Sequence, residues 1–239
     1  MKNDVLIGRE KELKQVCDFI EKKQSVLLFG PEGTGKSSII RSFISGKKAG
    51  SYLFSEESKD IKDSLANLAI SSGQYKENIR EQNIDVLKKI VYDLIAKNPE
   101  CVIFDNLERV KPKFNSFLNY LIDKKIPLLI SCRGLQKQDI GHLRWVSFVF
   151  NKIEITNFDR KSSCALIDFF IEEFKIKTEK PEEFKHDIIK YSGGNPSIIK
   201  ALCLLAKEPK YNRNGSIDVR LIDLDRKINK LAINSMGSV

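Results

Sequence analysis

The sequence predicts an α/β fold: a parallel sheet covered by helices on both faces, then a small all-helical region. Three observations carry this prediction. Short apolar runs of strand length alternate with stretches of helical period through residue 156. One run leads straight into a glycine-rich turn and then a helix. Beyond Asn157 helical spacing continues with no strand-like run until the last 33 residues, numbered 207–239.

Each element has its own signal. Gly8-Arg9-Glu10-Lys11-Glu12-Leu13 opens a helix that continues through Val16, Cys17 and Ile20. Ser25-Val26-Leu27-Leu28-Phe29 is short and apolar, as a buried strand is. Gly30 to Ser38, GPEGTGKSS, turns the chain, and Ser38-Ile39-Ile40-Arg41-Ser42-Phe43-Ile44 starts the next helix. Gly50 to Phe54 is a second strand, and helices are expected over Lys59 to Ile70 and Asp85 to Lys97, with a break at Asn98-Pro99. Cys101 to Asp105 and Pro127 to Cys132 are further strands flanking a helix from Lys113 to Asp123. A last strand is expected from Val146 to Ile155, on the strength of Phe148, Phe150, Ile153 and Ile155.

Asp159 can cap a helix running through Ala165, Leu166, Phe169, Phe170 and Phe174. Pro181 to Tyr191 follows, then the break Ser192-Gly193-Gly194-Asn195-Pro196 and a third helix, Ser197 to Ala206. The tail mixes a turn, Asn212 to Gly215, with alternating Ile217, Val219 and Leu221, then Leu224, Ile228 and Leu231 at helical spacing. Such a segment is too short for a core of its own. The expected division is therefore a domain over 1–156, a helical domain over 157–206 and a basic tail over 207–239.

Composition narrows the class. With 239 residues, 41% hydrophobic and 31% charged, the chain reads as a globular protein with one substantial core and room for a second small one. No apolar run approaches the roughly 18 to 20 residues of a membrane span, and the start is too polar for a secretory leader. A cytoplasmic protein with no membrane partner is expected. The five cysteines lie far apart without a C-x-x-C pair, which fits buried thiols, and His142 and His186 are isolated. The net charge of +9 comes mostly from lysines spread along the chain, which first suggests a solvated face.

The chemistry concentrates after the first strand. Gly30, Gly35, Lys36 and Ser37 complete the pattern G-x-x-x-x-G-K-S. Glycines let backbone N–H groups approach phosphate oxygens where a Cβ would collide, and a following helix turns its positive end to the anion. Gly30, Pro31, Glu32, Gly33, Thr34, Gly35, Lys36, Ser37 and Ser38 are thus the expected nucleotide-binding loop. Lys36 adds a point charge at the outer phosphates and the Ser37 hydroxyl a ligand for Mg²⁺. A carboxylate ending a neighbouring strand is needed as a second metal partner, and Asp105 fits. Many ATPases place an acid directly after it; here Asn106 cannot accept a proton, which leaves Glu108 as the nearest base. Arg133, leaving a strand tip, can bind a γ-phosphate through a forked pair of hydrogen bonds.

GREKEL, GPEGTGKSS, CVIFDNLE, LLISCR and SGGNPSIIKAL occur in that order. In this the chain resembles the STAND branch of the AAA+-like P-loop ATPases, including the NB-ARC and archaeal-type ATPases, over roughly residues 5–206. The resemblance implies a P-loop NTPase fold with a helical lid, and ATP and Mg²⁺ as cofactors. It further implies a slow ATPase switch whose lid closes on the triphosphate and which signals to a protein partner or to another copy. It assigns Arg9 to the border of the adenine pocket, Arg133 to a sensor arginine, and Pro196 to the lid proline near the base. Asn106 departs from the family pattern and puts fast turnover in doubt, and residues 207–239 leave no space for a winged-helix domain.

An alternative is a DNA-associated ATPase helper like the origin-recognition or transposition ATPases. Its support is the net charge and the tail cations Lys207, Lys210, Arg213, Arg220, Arg226, Lys227 and Lys230. A small-molecule kinase is disfavoured, because it needs an arginine-rich closing lid and residues 157–206 contain only Arg160.

Overall fold

The computed structural model describes residues 6–45, 47–48, 50–58, 60–213 and 215–236, with the side chains of Arg213 and of residues 230–236 outside the description. Two compact units divide at Ile155 and Thr156. In the first, α1 (Glu10–Glu21), β1 (Val26–Phe29), α2 (Lys36–Ser45), β2 (Tyr52–Ser55), α3 (Ile61–Ser71), α4 (Ile84–Ala96), β3 (Cys101–Phe104), α5 (Pro112–Asp123), β4 (Leu128–Cys132), α6 (Lys137–Ile140) and β5 (Asn151–Glu154) follow in order. The expected helix start at Lys59 falls outside the described residues.

The five strands form one parallel sheet in the order β2-β3-β4-β1-β5. Alternate residues of β1, β3 and β4 enter opposite cores. Leu27, Val102, Phe104, Leu128 and Ile130 pack with residues of α3, α4 and α5 on one face. Val26, Leu28, Cys101, Ile103 and Leu129 pack with Val16 and Ile20 of α1 and Ile39, Ile40 and Phe43 of α2 on the other. A strand buried on both faces has no polar side, which is why these segments read as unbroken apolar runs.

The last strand is shorter than expected. Residues His142–Trp145 and Ser147–Val149 form tight 3₁₀ turns, and pairing with β1 begins only at Asn151. Phe150, Ile153 and Ile155 are buried as the alternation implied, but Phe148 is left in solvent, so its place in the pattern did not mark a core position.

The second unit holds α7 (Arg160–Phe174), α8 (Pro181–Ser192), α9 (Pro196–Leu205), a hairpin of β6 (Asn212–Arg213) and β7 (Ser216–Ile217), and α10 (Val219–Met236). Asp159 caps α7 by accepting from the Ser162 N–H at 2.7 Å. The Gly-Gly-Asn-Pro break is a tied corner. Phe158 N–H donates to the Gly194 carbonyl at 2.8 Å, and Asn195 caps α9 through the Ser197 and Ile198 N–H groups. The residues from Lys207 onward do not stand apart as a tail. Tyr211, Ile217, Val219 and Ile222 are buried, and α10 packs on α8 and α9 within the same unit.

Gly30 shows how closely the sheet constrains the turn after β1. Its φ is +152°, and a Cβ there would stand 2.0 Å from the Ile155 carbonyl oxygen at the end of β5. Backbone on both sides of that clash cannot yield cheaply. Gly30→Ala is expected to lower stability by about 2–5 kcal/mol, read as a fall of roughly 10 °C in Tm by calorimetry.

Candidate phosphate-binding site

The loop between β1 and α2 wraps around one ammonium group. Lys36 Nζ donates to the Gly30 carbonyl at 2.7 Å and to the Pro31 carbonyl at 2.8 Å, and the side chain is buried. Burial pushes its pKa below the usual lysine range, and the nearby Asp105 carboxylate partly opposes this. Helical bonding begins with the Ile39 N–H donating to the Gly35 carbonyl at 3.1 Å. The N–H groups of Gly33, Thr34, Gly35, Lys36, Ser37 and Ser38 donate to no acceptor among the described residues. Amides left over at the start of a helix, with positive φ at Gly33 and Gly35, make a nest suited to an anion.

Arg9 braces this loop from behind. Its guanidinium, 5% exposed, donates to the Thr34 carbonyl at 2.9 Å and pairs with Glu12 at 2.9 Å. The Thr34 hydroxyl donates to the Pro31 carbonyl at 2.9 Å, which tightens the turn further. The position expected beside an adenine ring therefore also sets the loop's shape.

Sheet order brings Asp105 to the loop. β4 lies between β3 and β1, so the residue after β3 faces the turn after β1 across a single strand. Asp105 is 3% exposed and held at both backbone ends: its N–H donates to the Ser55 carbonyl at 2.9 Å and its carbonyl accepts from the Ser58 N–H at 3.0 Å. Oδ1 accepts from the Ser131 hydroxyl of β4 in a short hydrogen bond and from the Asn106 N–H at 3.0 Å. Oδ2 and the Ser37 hydroxyl bond to no described residue. A hydroxyl and a carboxylate oxygen kept in hand are hard ligands of the kind Mg²⁺ takes, so this donor set fits that ion.

Ser131 had no signal in sequence beyond being a polar residue inside an apolar strand. It is 1% exposed, and its Oγ also accepts from the Asn106 N–H at 2.8 Å. Asn106, at φ 52°, thus turns the chain away while its amide joins this network. Glu108 sits half-buried in irregular chain before α5. Arg133 meets Glu32 of the loop at 2.8 Å, and both side chains are more than half exposed. A pair so open to water is worth about 0–1 kcal/mol, so Arg133 can exchange partners readily. Pro196 is the first residue of α9 and belongs to the second unit.

No family model and no curated protein matches the chain. Solved structures do. A Walker-type ATPase of Pyrococcus abyssi superposes with a TM-score of 0.63 at 15% identity, over 98% of this chain and 75% of that one. The ORC1 protein of Aeropyrum pernix, in complex with DNA, gives 0.66 at 14% identity over 93% and 66%. AMPPCP-bound DnaA from Aquifex aeolicus gives 0.57 at 20% identity over 97% and 68%. The chain has the P-loop NTPase fold. Among the described residues, no helix of this P-loop chain is long and apolar enough to cross a membrane.

Two outcomes follow from the site's electrostatics. Ser131→Ala strips Asp105 of a buried donor and is expected to cost about 1–3 kcal/mol in denaturant unfolding. Because burial lowers the Lys36 pKa, its cation is the costly form. Raising pH into the range just below an ordinary lysine's pKa should relieve that cost and raise Tm, as thermal melts over that window would read.

Proposed function

We propose that the chain binds ATP with Mg²⁺ and hydrolyses it slowly, as a switch of the AAA+-like class, STAND branch, that reports its nucleotide state to a protein partner or another copy. The observation that supports this most directly is the juxtaposition of six unpaired loop amides, the buried Lys36 ammonium and the braced carboxylate of Asp105. The amides and Lys36 take the β- and γ-phosphates. Ser37 and Asp105 would hold Mg²⁺, which supplies charge neutralisation when bound. Arg133 exchanges Glu32 for the γ-phosphate. Glu108 orients the attacking water, since the Asn106 amide cannot take its proton, and slow turnover follows from a base set off the usual position. Arg9 borders the base end.

A DNA-associated role is the second reading. It draws on the net charge of +9 and on the likeness in fold to an ORC1 protein solved with DNA. Its mark is DNA binding that weakens with salt and strengthens with ATP.

ATP affinity and phosphate release, measured for the parent and for Lys36→Ala, Glu108→Gln and Asn106→Glu, test the proposal. Lys36→Ala should abolish binding, and Glu108→Gln should slow turnover roughly 10- to 100-fold with affinity retained. A sharp rise in rate for Asn106→Glu with no change for Glu108→Gln would remove Glu108 as the base. Transfer of labelled phosphate to any acceptor other than water would point to a kinase.

A further inference from the structure

Two segments far apart in sequence run side by side on the first unit. The Arg109 N–H donates to the Asp139 carbonyl at 2.8 Å, the His142 N–H donates to the Val110 carbonyl at 2.9 Å, and Val110 and Gly141 form a parallel bridge. This places residues 109–113, entering α5, against residues 137–145. The two segments expose Arg109, Lys111, Lys113, Lys137 and Arg144, and none of these forms an ion pair with a described residue. Their one carboxylate, Asp139, is half-buried and its side chain accepts from the Gln136 N–H at 3.3 Å.

The same stretch carries aromatic rings in water. Trp145 is 75% exposed and Phe148 is 78% exposed, on the two 3₁₀ turns that replace the start of the expected strand. Neither feature serves folding. Clustered cations repel, and each exposed ring forgoes the burial that normally places it in a core. Together they match a ligand with a phosphate and an accessible base face at every step. A single strand of nucleic acid has both, whereas a duplex hides its base faces in the stack.

In the tail, by contrast, Lys210, Arg226 and Lys227 meet carboxylates. Lys210 pairs with Glu208 at 3.3 Å and Asp225 at 3.4 Å, and Arg226 and Lys227 both reach Asp223 at 2.7 Å. Lys207 lies over the Phe174 ring, Arg220 is exposed, and the side chains of Arg213 and Lys230 fall outside the described residues.

We propose that the surface formed by residues 109–113 and 137–149 binds single-stranded DNA, with phosphates on Arg109, Lys111, Lys113 and Arg144 and bases stacked on Trp145 and Phe148. It uses none of the residues assigned to ATP, so it stands or falls separately from that reading.

Trp145 is the only tryptophan of the chain, so its emission reports on this surface alone. The full chain, without nucleotide, is titrated with oligo(dT) at about 50 mM salt. Quenching of Trp145 is expected, with affinity falling steeply as salt rises. The double variant Arg109→Glu, Lys111→Glu should bind at least about tenfold more weakly and show a shallower salt slope, by roughly 0.7 per lost phosphate contact. Phe148→Ala should weaken binding about tenfold, and melting curves check that each variant folds. Absence of binding overturns the proposal, as does undiminished affinity in the charge-reversed protein. Equal affinity for duplex, with Trp145 unquenched, overturns the stacking. Tighter binding of oligo(rU) moves the site to RNA. A dimer in sedimentation that Trp145→Ser dissolves, without strand binding, gives the surface to a second copy.

Discussion

Everything at the carboxyl end of the sheet depends on holding one ammonium group where water hardly reaches. An isolated charge moved into a protein interior costs several kcal/mol even after relaxation. Lys36 avoids most of that through two loop carbonyls, those of Gly30 and Pro31, while its charge remains in the field of Asp105. The carbonyls can face inward only because the loop bends at glycines and is clamped by Arg9 through Thr34. With the carbonyls turned in, the amides are left at the helix start. Shape and charge thus have a common cause.

The sheet supplies the other half. Placing β4 between β3 and β1 puts a side chain of β4 within reach of the carboxylate that ends β3, and Ser131 occupies that position. One hydroxyl bonded to both Asp105 and the following amide fixes the carboxylate and starts the sharp turn at Asn106. Fully buried polar groups of this kind specify geometry because leaving any member unpaired is costly. Uninterrupted apolar strands on either side keep the sheet from slipping in register, so the site inherits its precision from two hydrophobic cores.

The fold was legible because its inner strands bury both faces and its helices bury one. Runs such as Val26 to Phe29 and spacings such as Val16 to Ile20 follow directly from that layering. The turn after β1 was legible because a sharp bend that opens a helix needs glycines in a fixed order. What could not be read were contacts made across the sheet. Ser131 with Asp105 and Arg133 with Glu32 join residues whose partnership depends on strand order, and no local pattern encodes strand order. Phe148 misled for the opposite reason: its alternation with Phe150 has the period of a strand, but the backbone there tightens into 3₁₀ turns. The segment after Lys207 looked too small for a core of its own; its Tyr211 and Ile222 are buried, and α10 packs on α8 and α9.

Strand β5 closes one margin of the sheet and is only four residues long, with Lys152 and Glu154 turned to solvent on either side of buried Ile153. An open margin of that kind invites a foreign chain to zip on. Brevity leaves few unmet amides to capture one, and alternating charges make a greasy intruder a poor fit. Shortness and charge at this margin thus both work against self-templating along that side.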